Sequence, residues 1–124
     1  MDFQLANKNN LEQVYELVQE TIQVVYPKYY LPEIVDMFRE YHSREHVLQD
    51  ITARNTYILW VGDTIVGTGT IQENHITRVY VLPRFQGKGY GTYIMKQLEE
   101  RIRKNYDTID IDASLPACRL YQRL

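Results

Sequence analysis

Hydrophobic positions along the chain recur with two different periods, and the change of period divides it. In the first part the period is helical. Leu11, Val14, Val18, Ile22 and Val25 return at spacings of three and four, which places them on one stripe of a helix. Asn10 stands before that stripe and is expected to cap it, because a short polar side chain there can accept from a first-turn amide. Pro27 stops the helix at Tyr26, since the residue before a proline disfavours helical dihedrals. Pro32 suits the first turn of a second helix carrying Ile34, Val35, Phe38 and Tyr41 on one side. Ser43 is placed to cap its continuation through Val47, Leu48 and Ile51.

From residue 56 the period becomes that of a strand. Residues 3–5 already read as a short first strand, and residues 56–61 are β-branched and aromatic. Gly62 and Asp63 supply a turn, and residues 64–72 return, with Gly67 and Gly69 weakening or bulging the strand. Residues 75–82 complete a meander that Pro83 ends. A glycine-rich loop over 84–91 leads into a helix over 92–104, whose stripe is Ile94, Met95, Leu98 and Ile102. Residues 108–112 form a further strand, and Pro116 opens a last helix. The order is mixed α/β. The strand–helix–strand crossover makes the strands at 76–82 and 108–112 parallel.

Composition narrows the class. A chain of 124 residues fits one domain. Fourteen Lys and Arg against 16 Asp and Glu give a net charge of −2, which argues against a nucleic-acid partner, since that needs a basic face. No apolar run approaches the roughly 20 residues of a membrane-spanning helix, so no membrane association is expected. Nothing at the N-terminus reads as a secretion signal, and the single Cys118 forms no internal disulfide; both fit a cytoplasmic protein. Cys118 reads as a small buried hydrophobe. His42 and His46 lie four apart but lack a third ligand nearby, so they read as a solvated helix face and no metal is expected. Arg101, Arg103 and Lys104 read as a solvated helix end. The skew is in the aromatics: 11 Tyr against three Phe and one Trp, rings that suit pocket walls.

The chemistry concentrates in Gln86-Gly87-Lys88-Gly89-Tyr90-Gly91, between a strand and a helix. Alternate glycines allow a sharp turn and close approach to the backbone, and the following helix start offers unpaired amides and the positive end of its dipole. The segment is not a P-loop, because Lys88 is followed by Gly89 rather than Ser or Thr. It is not the dinucleotide fingerprint either, because the third glycine would fall on Thr92.

Taken with the strand before it, the segment from Val79-Tyr80-Val81-Leu82-Pro83 through Arg84-Phe85 to Gly91 resembles the acyl-CoA site of the GNAT family of N-acetyltransferases, V-x-V-x-P followed by Q/R-x-x-G-x-G/A. Ala113-Ser114-Leu115-Pro116-Ala117-Cys118-Arg119-Leu120-Tyr121 is similar to that family's late strand-to-helix segment. The element order is also the family's, so the resemblance covers the whole chain. It implies a GNAT-like mixed sheet with helices on both faces, in which the parallel strands at 76–82 and 108–112 splay apart.

The implied cofactor is acetyl-CoA, as co-substrate. Amides of Gln86, Gly87, Lys88, Gly89, Tyr90 and Gly91 would cradle its pyrophosphate, and Thr92 would add a hydroxyl. Main-chain groups of Val79 and Val81 would bond the pantetheine arm, and Arg84 and Lys88 would supply charge for phosphate. Tyr121 matches the family's general acid, which protonates the departing thiolate. The family's general base is often a Glu four residues before the first Val, and here that position is His75. Ser114 stands where many members carry an Asn that contacts the cofactor.

His75 has a chemical reading of its own. A neutral imidazole accepts a proton near neutral pH, and regular pleating puts His75, Thr77, Val79 and Val81 on one face. Glu73 is the rival base, on the same face if the strand starts early. Tyr29 and Tyr30, with Tyr26 beside Pro27, are expected to line the site of the acceptor, a small-molecule or peptide amine. The implied reaction is acetyl transfer to a primary amine by direct attack in a ternary complex; the alternative is a non-catalytic acyl-CoA-binding or regulatory module. Family members usually continue past the final helix with further strands. The domain at 1–124 is therefore expected to be truncated at its C-terminus, or completed by a partner such as a second copy in a homodimer.

Overall fold

A computed structural model describes residues 1–111, and the expectations for Ser114, Cys118, Tyr121 and the last helix fall outside them. Among the described residues the period-two segments form a five-stranded sheet whose strands lie side by side in chain order. They are β1 (Asp2–Leu5), β2 (Thr56–Val61), β3 (Thr64–Gln72), β4 (His75–Val81) and β5 (Asp110–Ile111). The first four pair antiparallel and β5 joins β4 in parallel, as the crossover requires. The helices are α1 (Leu11–Val25), α2 (Pro32–Tyr41), α3 (Arg44–Thr52) and α4 (Tyr90–Arg103).

Two apolar clusters hold the layers together. On one face, Val14, Leu17, Val18 and Ile22 of α1 pack with Val35, Val47 and Ile51 against Ile58, Tyr80 and Leu82. On the other, Ile94, Met95, Leu98 and Ile102 of α4 pack against Leu59, Val66, Ile76 and Val81. Gly67 and Gly69 set the depth of α4. A Cβ at Gly69 would lie 2.8 Å from both Ile94 and Leu98, and one at Gly67 would lie 2.7 Å from Ile94 and 2.9 Å from the Tyr80 carbonyl. The bulge in β3 falls beside these glycines, at Val66, where Leu59 pairs with Gly67 but Trp60 with Ile65.

Several local expectations are revised. Asn10 occupies the cap position of α1 without capping it. Its Oδ1 accepts from the Asn7 amide (3.0 Å), and Asn7 caps the preceding 3-10 turn by accepting from Asn9 N (2.9 Å). On α2, Val35 and Phe38 face the core, while Tyr41 is 59% exposed. The inward position four residues after Phe38 belongs to His42, which is buried at 4% rather than solvated. Arg101 is not a solvated end: its guanidinium lies 5.0 and 4.7 Å from the ring centres of Phe3 and Tyr57, over their stacked pair. Ser43 does cap α3, accepting from the His46 amide at 3.3 Å.

The revision with most consequence is in β4. Thr70 pairs with Arg78 and Ile71 with Ile76, so Thr77 is an extra residue. Ile76 therefore joins Val79 and Val81 in the α4 cluster, and His75 falls on the opposite face. Pleating is not regular here, and the expected shared face of His75, Val79 and Val81 does not form.

Candidate functional site

The glycine-rich segment begins where β4 ends. Leu82 donates its amide to the Val66 carbonyl (2.9 Å), and Pro83–Phe85 makes a single 3-10 turn. The Gln86 side chain then reaches back, its Nε2 donating to the Val81 carbonyl at 2.9 Å. Gln86 is thus a brace between loop and strand as well as a source of an amide, and it takes one of the two acceptor positions on Val81.

Gly87 and Gly89 adopt φ of +79° and +87°, the left-handed region that costs a residue with a Cβ. Nothing lies within 4 Å of where either Cβ would point, so these glycines serve the backbone path beside an open volume, not packing. Gly89 is the cap residue of α4, and the helix starts at Tyr90, two residues earlier than its apolar stripe implies. Tyr90, Gly91 and Thr92 form its first turn. Their amides have no acceptor within the helix and add to the positive end of its dipole, an arrangement that receives phosphate.

Two cations flank this turn. Arg84 pairs with Glu20 of α1 at 3.1 Å, with both side chains exposed, and its guanidinium lies 5.3 Å from the Phe85 ring centre. Such a surface pair is weak enough to yield to a phosphate. Lys88 rests over the same ring at 5.9 Å and makes no ion pair among the described residues. The loop, its two cations and the end of β4 lie together.

The proposed bases lie apart from them. His75 begins β4, opposite Gln72 on one side and Asp110 on the other. Glu73 is in the β3–β4 turn with φ of +56°, exposed, and not on a strand face. Among the described residues the β4–β5 pairing is His75 with Asp110 and Ile76 with Ile111, at the end of β4 remote from α4's first turn.

The tyrosines reach β4 from the helical face. Tyr26 is buried, and its hydroxyl lies 3.0 Å from that of Tyr80, between Val79 and Val81. Tyr30 packs on Tyr26 and Phe38, with ring centres 5.7 and 5.0 Å apart, and Tyr29 is half-buried at the end of the 3-10 turn Tyr26–Lys28.

A polar group beneath this cluster escaped the sequence reading. Arg78 Nη1 lies 2.9 Å from Asp50 Oδ2 of α3, and Arg78 Nε donates to His42 Nδ1 at 2.9 Å. The His42 ring meets Tyr80 edge-on at 5.5 Å. Burial, then the nearby charge of Arg78 and of His46, lowers the His42 pKa from 6.5 to about 3, so the ring is neutral and Nδ1 is an acceptor. The available signal was the inward spacing of Val35, Phe38 and His42.

Known proteins share this fold. A GCN5-related N-acetyltransferase from Rhodopseudomonas palustris superposes with a TM-score of 0.89 at 17% identity, covering 98% of this chain and 78% of that one. The PaiA N-acetyltransferase from Thermoplasma acidophilum, in complex with coenzyme A, gives 0.70 at 21% identity, over 83% and 72%. A GCN5-related N-acetyltransferase from Ralstonia eutropha gives 0.71 at 14%, over 98% and 89%. At such identities the likeness is one of fold. No curated protein matches the sequence. The acetyltransferase (GNAT) domain model matches residues 19–124, from the middle of α1 onward. With that match over the loop, its strand and its helix, the chain belongs to the GNAT acetyltransferase family.

Proposed function

We propose that this protein transfers an acetyl group from acetyl-CoA to a primary amine by direct attack in a ternary complex. The observation that carries this is the junction of β4, the Gly87 and Gly89 turn and the first turn of α4, where backbone amides border the space left open beside the two glycines. That the Thermoplasma PaiA N-acetyltransferase was solved in complex with coenzyme A supports the reading. Amides at 86–91 and the Thr92 hydroxyl take the pyrophosphate, with Arg84 and Lys88 neutralising phosphate charge. Main-chain groups of Val79 and Val81 hold the pantetheine arm and polarise the thioester carbonyl, and Tyr29 and Tyr30 line the acceptor site.

The amine must lose a proton before it attacks. His75 or Glu73 takes that proton through water, since neither shares the face of Val79 and Val81. Nitrogen then bonds to the acyl carbon, the C–S bond breaks, Tyr121 protonates the thiolate, and the second proton shed by the new amide nitrogen returns through water to Tyr121. A second reading, a non-catalytic acyl-CoA-binding module, draws on the same turning-away of His75.

Calorimetry with CoA, together with thiol release from acetyl-CoA over a panel of amines, separates the two. Binding with amine-dependent thiol release is the expected result, and binding without transfer to any amine would leave the module. Tyr121→Phe is expected to lower turnover with acetyl-CoA affinity nearly unchanged.

A further inference from the structure

Arg78 stands on the strand proposed to hold the cofactor, yet no step of the proposed reaction uses it. Its side chain is 3% exposed, against 27% for its ion-pair partner Asp50. A buried cation is retained only where its donors are matched, and here both Nε and Nη1 have partners. Nε reaches His42 Nδ1 between α2 and α3, and Nη1 reaches both Asp50 Oδ2 on α3 and Thr70 Oγ1 on β3 at 3.4 Å. Thr70 Oγ1 lies 3.0 Å from Thr56 Oγ1 on β2. One side chain therefore ties β4 to two other strands and to the junction of two helices.

Its place in the strand gives this a purpose. Arg78 is the first paired residue after the extra Thr77, and Val79 follows it directly. A bulge breaks the ladder and leaves the strand locally free to bend, so the direction of the next amides is not set by pairing alone. If the site needed only filling, an apolar side chain on the strand face of Tyr80 would do so without burying charge.

We infer that Arg78 is a positioning residue, which fixes the bulge in β4 and thereby aims the main-chain groups of Val79 and Val81 at the bound acyl-CoA. This rests on the acetyl-transfer function proposed above. The neutral His42 is part of the device, because a protonated Nδ1 would present a hydrogen to Arg78 in place of a lone pair.

The test compares Arg78→Met, Arg78→Lys, His42→Phe and His42→Asn with the parent chain. CoA affinity is read by calorimetry, kcat and KM for acetyl-CoA by thiol release, and amide exchange of β4 by NMR. In Arg78→Met, kcat is expected to fall by at least about tenfold while CoA affinity stays within about threefold. Exchange at residue 78 and at Tyr80, whose amides face β3, rises by about tenfold or more, with α4 and β2 unchanged. Arg78→Lys falls between, since a point charge cannot serve His42 and Asp50 together. His42→Phe behaves as Arg78→Met, and His42→Asn, whose Oδ1 accepts from Nε, recovers most of the loss.

Unchanged kcat and exchange in Arg78→Met would overturn the inference. So would exchange rising equally across the whole sheet, which would make Arg78 a general stabiliser. If Arg78→Met does not fold, the contrast between His42→Phe and His42→Asn decides in the same terms. If the parent binds CoA but acetylates no amine, the proposed function fails, and the exchange data still decide whether Arg78 fixes the bulge.

Discussion

Ile76 and Val79 lie three residues apart on one strand yet pack into the same apolar cluster under α4. Simple alternation forbids this, and the extra Thr77 makes it possible. Deleting Thr77 would restore alternation with the β3 partners on either side unchanged, because Ile76 still meets Ile71 and Arg78 still meets Thr70. The deletion variant is expected to fold and to bind CoA within about threefold of the parent. Transfer should fall by a factor on the order of 10², the scale of losing one preorganised main-chain donor. Thiol-release kinetics beside calorimetry check this, and parental turnover would mean that the bulge has no part in the reaction.

Gly67 and Gly69 face the same helix but differ in what a methyl group would strike. At Gly69 the obstacles are side-chain atoms of Ile94 and Leu98, which can rotate. At Gly67 one obstacle is the Tyr80 carbonyl, 2.9 Å away and fixed in the sheet. Both alanine variants should lose stability within the overpacking range of about 1–3 kcal/mol, with Gly67→Ala the more severe. Urea unfolding of the two variants gives the order, and a reversed order would show that the β3–β4 ladder yields more readily than the α4 side chains.

Gly87 and Gly89 need their left-handed conformation but crowd nothing. Alanine at either position should cost about 1–2 kcal/mol through backbone strain. CoA affinity should suffer as well, since the new methyl points into the volume proposed for the pyrophosphate. Gly62, at φ of +61° in the β2–β3 turn, provides the control. Gly62→Ala should carry the same kind of strain with no change in CoA binding, and calorimetry on all three variants measures the difference. Equal affinity in the Gly62 and Gly89 variants would remove the phosphate reading of the loop.

Much of this architecture follows from local rules. The α1 stripe, the Gly62 turn, the Ser43 cap and the parallel β4–β5 pair each depend on residues close in sequence or on a handed crossover. The loop was legible because its glycines are unusual where they stand. What escaped depends on distant partners. Thr77 is a bulge only because of how Thr70 and Ile71 pair across the sheet, so nothing in its neighbours marks it. His42 looked solvated because it sits beyond the end of α2 beside the exposed Tyr41, and Arg78, 36 residues away, is what holds it in place. The role of Gln86 was hidden for a related reason: its amide was expected to matter, and its side chain braces Val81.

That hidden histidine has a consequence for stability against pH. His42 keeps a pKa of about 3 in the folded chain, chiefly through burial and then through Arg78 and His46, whereas the unfolded chain carries an ordinary histidine near 6.5. Above 6.5 neither state holds the proton and the site adds no pH dependence. As pH falls below 6.5, the unfolded chain takes up a proton that the folded chain refuses, so stability is lost, with a slope approaching about 1.4 kcal/mol per pH unit. From about pH 7 to about pH 5 the loss due to this one ring is about 2 kcal/mol. His42→Asn lacks the titrating ring but keeps an acceptor for Arg78, so its stability should fall less over the same interval. Urea midpoints and slopes of both proteins across that interval measure the difference. Parallel curves would show that His42 is protonated in the folded protein, and that its Nδ1 does not accept from Arg78 as the geometry has it.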